Sequence, residues 1–133
     1  MRPLLAAALA TALMPLPLRA GPVEDGRAVW LDACASCHGP AARGDGPMAE
    51  ILAMPVPDLT GLTAANGGSF PWLRVVHLVD GRSGLRGHGG PMPIFGALMR
   101  GDAVAADAPD GTPVITSARV LAVVAWLESV QER

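Results

Sequence analysis

A chain of 133 residues with two cysteines, no lysine, and ten arginines against twelve acidic residues forms one domain at most. A net charge of −2 with no basic run argues against binding to nucleic acid or any other polyanion. Two cysteines also exclude a four-sulfur zinc or iron–sulfur site, because no second pair exists to complete one.

The first twenty residues read as a leader. Arg2 gives a short positive start, residues 4–14 an apolar stretch, and Leu18-Arg19-Ala20 a small-residue cleavage site before Gly21. The apolar run is too short for a bilayer span and is followed by Pro15 and Pro17. A secretory signal cleaved after Ala20 is therefore expected, with a single domain over residues 21–133. Loss of Arg2 and Arg19 leaves eight arginines against the same twelve acids.

Residues 23–34 predict a short helix, with Glu24 and Asp25 in a first turn where the helix dipole favours anions. Gly26 and Trp30, four apart, set a gap beside a large ring on one face, and Ala33 continues it. That pattern suits a close approach of a second helix. Next comes Cys34-Ala35-Ser36-Cys37-His38. The C-x-x-C pair alone is shared by redox dithiols, half zinc sites and plain disulfides. With a directly following His it reads as a c-type haem attachment: two thioethers form to the porphyrin, and the imidazole is held beneath the iron. A remaining chain of about 113 residues is small for a self-sufficient core, and a buried macrocycle would supply apolar surface to pack against.

Residues 39–47 form a Gly- and Pro-rich loop. No strand precedes it and no G-x-x-x-x-G-K-S/T pattern follows, which speaks against a phosphate loop. Such a loop can instead present a backbone carbonyl to the His38 Nδ1 proton, leaving Nε2 for iron, and Pro47 is the candidate acceptor. Residues 48–54 predict one or two helical turns stopped by Pro55 and Pro57. Residues 58–68 predict loop, with a turn of helix at 62–65. A further helix is expected over residues 71–80, with Pro71 at its first position, Gly81 just past its end, and an apolar stripe of Trp72, Val75, Val76 and Val79. Trp72 belongs to that core stripe, and its indole N–H is able to reach a haem propionate.

Residues 82–101 read as a loop in which Met92 stands between Pro91 and Pro93. Two prolines stiffen the backbone around a weak thioether ligand, so Met92 is the expected distal ligand of the iron. Met48 lies too close to His38 to reach the opposite face, and Met54 and Met99 are read as core filler. The last helix begins at a Thr116 or Ser117 cap. It carries Val120, Val123, Val124 and Leu127 on its apolar face with Trp126 beside them, and at about fourteen residues it is too short to span a membrane.

With these motifs the chain resembles a small bacterial class I c-type cytochrome, the monohaem cytochrome c fold. The resemblance is carried by Gly26 and Trp30, the Cys34–Gly39 motif, Gly44-Asp45-Gly46-Pro47, Pro57-Asp58-Leu59-Thr60, Asn66-Gly67-Gly68, Phe70-Pro71, Val79-Asp80-Gly81, His88-Gly89, Met92-Pro93 and Ala125-Trp126-Leu127-Glu128-Ser129. It implies an all-α fold: three to five short helices around one covalent haem, with crossed N- and C-terminal helices that set Gly26 and Trp30 against Trp126. It further implies Cys34 and Cys37 as thioether residues, His38 and Met92 as iron ligands, and the Pro47 carbonyl as partner of His38. Haem attachment of this kind in bacteria takes place outside the cytoplasmic membrane, so a periplasmic location is implied.

The function expected is one-electron transfer by haem c cycling between Fe(II) and Fe(III), between respiratory or dehydrogenase partners, as a carrier or haem subunit and not as an enzyme. Without lysines, recognition of redox partners must rest on a few arginines or on apolar contact. Two other functions compete. One is a ligand-binding or catalytic haem protein with a labile sixth site, for which His88 is the alternative ligand, while His77 reads as a surface or interhelix residue. The other is thiol exchange through a Cys34–Cys37 disulfide, which an exported chain permits.

Overall fold

The computed structural model describes residues 21–82, 92, 99 and 101–132. The leader, His88 and the prolines flanking Met92 lie outside the described residues. Helix α1 (Pro22–Ala33) starts after Gly21 with Pro22 in its first turn, where a missing N–H costs nothing. Helix α2 (Ala35–His38) follows after Cys34. A 3₁₀ turn at Ala49–Ile51 and helix α3 (Leu62–Ala65) interrupt the long loop. Helix α4 (Trp72–Val79) has Pro71 as its N-cap rather than its first residue, and ends at Asp80 before Gly81. Helix α5 (Ala118–Ser129) is capped by Ser117, whose side chain accepts from Val120 N at 3.2 Å.

The all-α expectation needs correction. Strands β1 (Ala103–Asp107) and β2 (Pro113–Ser117) form an antiparallel hairpin in which Ala103 pairs with Ser117 and Asp107 with Pro113. The sequence Ala-Val-Ala-Ala-Asp is a poor strand former, which hid β1. The turn chemistry was legible: Pro109-Asp110-Gly111-Thr112 is a turn signature, and Thr112 N donates to Asp110 Oδ1 at 2.9 Å while Gly111 N donates to the Ala108 carbonyl. Once paired, β2 alternates, burying Val114 and Thr116 and exposing Pro113 and Ile115.

The core lies between α1, α4 and α5, where Trp30, Val75, Val76, Val79, Val120, Val123, Val124, Trp126 and Leu127 are buried together with Met99 and Val114. Met99 is core filler as expected. Met54 is not, being 55% exposed in the loop after the 3₁₀ turn. The closest approach is α1 on α5: a Cβ placed on Gly26 would overlap the Ala122 carbonyl and come within 2.9 Å of Trp126 Cβ. Trp30 packs on Trp126 with ring centroids 4.7 Å apart, as the resemblance implied.

Polar side chains fasten the loops to this core. Gln131 donates to the Leu59 and Leu127 carbonyls at 2.8 and 2.9 Å and accepts from Thr63 N at 2.9 Å. Arg43 reaches Asp58 at 3.3 Å, Thr60 at 3.2 Å and Glu132 at 2.5 Å. At the other end of the core, Asp80 accepts from Arg82 Nε at 2.7 Å, Arg82 N at 3.1 Å and Thr116 Oγ1 at 3.2 Å. Burial pushes the Asp80 carboxyl up, but its bonds to Arg82 and Thr116 outweigh it and hold it below the ordinary carboxylate range.

Gly26→Ala should destabilise the protein by about 3 kcal/mol, because overpacking here meets backbone and not a yielding side chain; a lower denaturant midpoint at unchanged slope would show it. Folding lowers the Asp80 pKa, so its contribution is fully present above about pH 4 and is lost as pH falls through the folded value. Asp80→Asn should therefore melt below the wild type at pH 7, and the gap should close below about pH 4, in melting curves recorded across that range.

Candidate haem attachment site

Helix α1 delivers the site directly. Its last carbonyls run into the attachment turn, with Cys34 N donating to the Trp30 carbonyl at 2.8 Å. The Cys34 carbonyl then accepts from both Cys37 N at 3.2 Å and His38 N at 3.0 Å. Two thiols and an imidazole thus share a single helical turn. The loop that follows closes over it: Gly46 N donates to the Cys37 carbonyl and Met48 N to the Ser36 carbonyl. Gly46 is required there, since a Cβ would lie 2.5 Å from the Ser36 carbonyl oxygen and 2.6 Å from that of Ala35.

Cys34 is buried and Cys37 half-buried, and both are free thiols. Burial, then the charge of Asp32, then that of Cys37 push the Cys34 thiol up to about 11. A thiol so fully protonated at neutral pH is a weak nucleophile. His38 is shifted the other way: burial lowers its pKa, while the Pro57 carbonyl acts in the opposite sense. The ring is therefore neutral at pH 7, the form that offers a lone pair to a metal. Its Nδ1 is buried without a hydrogen-bond partner of ordinary geometry.

Trp30 braces the turn. Its indole N–H donates to the Gly39 carbonyl at 2.9 Å in a buried bond, and its ring centroid lies 5.7 Å from that of His38. Trp72 sits half-buried against the core, as its place in the apolar stripe of α4 led one to expect. Pro47 is exposed between the two residues that tie its loop to α2, and the Pro57 carbonyl opposes the effect of burial on the His38 ring. Met92 is half-buried in a bend. His77 is half-buried on α4.

The sequence reading missed two contributors. Trp30 was read only as a helix-packing residue, although its position four before Cys34 already put it one turn below the motif. Pro57 was read as a helix stop; nothing local links it to His38, because the chain has to fold back across residues 44–57 before its carbonyl arrives.

Among the described residues, no group of three or more His, Cys, Asp or Glu could hold a bare metal ion. Haem fits these residues, because the porphyrin brings four of its own nitrogens and asks the protein only for axial ligands and two thiols. A neutral His with an orphaned Nδ1, one turn from two free thiols, meets that demand. No helix among the described residues is long and apolar enough to cross a membrane.

No curated protein and no solved structure matches the chain. Its family does: residues 23–131 match the family described as Cytochrome c. That match spans α1 through α5 and includes the attachment turn, and the chain belongs to the cytochrome c family.

Proposed function

We propose that this chain is an exported one-electron carrier that holds haem c covalently through Cys34 and Cys37, with His38 as proximal and Met92 as distal ligand of the iron. The observation that carries this reading is the Cys34–His38 turn, in which two free thiols lie beside a half-buried neutral imidazole whose Nδ1 is buried and unpartnered. When bound, haem supplies a reversible Fe(III)/Fe(II) couple, and a thioether ligand in dry surroundings favours the reduced form.

The protein's own part is positional. Burial keeps the His38 ring neutral at pH 7 against the opposing effect of the Pro57 carbonyl, and a neutral ring has a nitrogen lone pair to offer the metal. Trp30 holds the peptide after His38 through Gly39. With His38 and Met92 both holding the iron, no coordination site would remain for a substrate, and the protein would carry electrons rather than catalyse. The high pKa of Cys34 speaks against thiol exchange as the function.

Residues 1–20 as a leader, and the covalent attachment itself, favour the periplasm. Redox proteins are the partners this chemistry needs, as donor and acceptor, in a free carrier or in a dehydrogenase complex. With no lysine in the chain, docking draws on apolar contact, and Ile51 at 73% exposure with Met48 and Met54 offers such a surface beside α2.

The exported protein should carry a haem that resists extraction with acid and acetone, with low-spin spectra in both oxidation states. Prompt carbon monoxide binding by the reduced form would instead mean a labile sixth site and a ligand-binding or catalytic protein. Met92→Ala should abolish the sulfur-to-iron charge-transfer band and lower the reduction potential, read by absorption and redox titration.

A further inference from the structure

The chain between Arg82 and Met99 carries Met92, and these two residues line the same cleft of about 440 Å³. Arg82 and the buried Met99, which bound that segment in sequence, thus both border one cleft. Ile115 and Thr116 of β2 line the cleft as well. Among the described residues, a guanidinium ties the start of that segment to β2. Arg82 donates from Nε to Asp80 Oδ2 at 2.7 Å and from Nη2 to the Ile115 carbonyl at 2.5 Å. The same Asp80 oxygen accepts from Thr116 Oγ1 at 3.2 Å. The end of α4 is thus pinned to β2 by charge-assisted bonds on a carboxylate whose side chain is only 12% exposed.

We propose that the Asp80–Arg82 pair, by pinning the end of α4 to β2, is the positioning element that holds the Met92 thioether at the iron. The inference rests on Met92 as the distal ligand. A thioether is a weak ligand, so its occupancy depends on how much freedom its own segment keeps. A segment whose start is free to move must give up more conformational entropy for each ligation event than one anchored at both ends. Arg82 supplies the anchor at the start and Met99 in the core supplies the one at the finish. Arginine suits the task because its planar fork bonds a carboxylate and a carbonyl together, where lysine offers a single point of attachment.

The test uses the haem-loaded protein and its variants Arg82→Ala, Arg82→Lys and Asp80→Asn, with Met92→Ala as reference. The charge-transfer band of the oxidised form is followed with temperature beside far-UV circular dichroism, and carbon monoxide binding to the reduced form is timed. Arg82→Ala should lose the band at temperatures where its helices persist, and bind carbon monoxide roughly tenfold faster than wild type, the change expected when one charge-assisted hydrogen bond is lost. Arg82→Lys should fall between the two. If Arg82→Ala does not accumulate as a folded protein, Asp80→Asn gives the same reading. Should Arg82→Ala and Asp80→Asn both keep the band and the slow carbon monoxide binding while Met92→Ala loses them, the pair has no such role. A Met92→Ala protein with an unchanged band would overturn the ligand assignment, and this inference with it.

Discussion

The contact between α1 and α5 governs the rest of the molecule. Gly26 lets the two backbones meet at Ala122, and the same approach brings Trp30 onto Trp126, an aromatic pair worth about 0.5–1.5 kcal/mol beyond its buried area. Trp30 then has a second edge to offer, and its indole N–H holds the Gly39 carbonyl. One side chain thereby joins the helix interface to the residue that follows His38. The attachment turn is placed by how α1 sits on α5, since it begins at the end of α1 without a linker.

Around that interface the aliphatic core is small, and long stretches of loop must be held in other ways. The chain uses polar side chains at both ends of α5. Beyond its C-terminal end, Gln131 satisfies three backbone groups, and Arg43 gathers Asp58, Thr60 and Glu132. Exposed ion pairs of this kind add little singly. Backbone groups left half-buried without a partner would be costly, so the Gln131 bonds weigh more than the salt bridges beside them. The loop they hold includes Pro57, whose carbonyl acts on His38, so this polar clamp bears on the site from the far end of the chain.

The hairpin of β1 and β2 does related work at the opposite end. Val114 enters the core, Thr116 bonds Asp80, and Ser117 caps α5. Two strands alone are marginal in water. Here β2 is held by the core on one face and runs directly into a helix, which is why a short, alanine-rich partner strand suffices.

Much was legible from residues alone. Helices α1, α4 and α5 followed from apolar spacing and from Pro and Gly punctuation, and the C-x-x-C-H chemistry followed from five consecutive residues, because attachment to one porphyrin is a local demand. The hairpin was not, since its strands have weak propensity and owe their form to pairing and to the core behind Val114. The surroundings of His38 were not legible either. The Pro57 carbonyl bears on the ring only because the chain folds back to it, and Trp30, read for its place in the helix interface, also lies beside the ring. Local chemistry such as caps, turns and an attachment motif is written in neighbouring residues. The carbonyl that bears on a ring, or the brace behind it, is chosen by which distant segment folds closest, and that depends on how the whole chain packs.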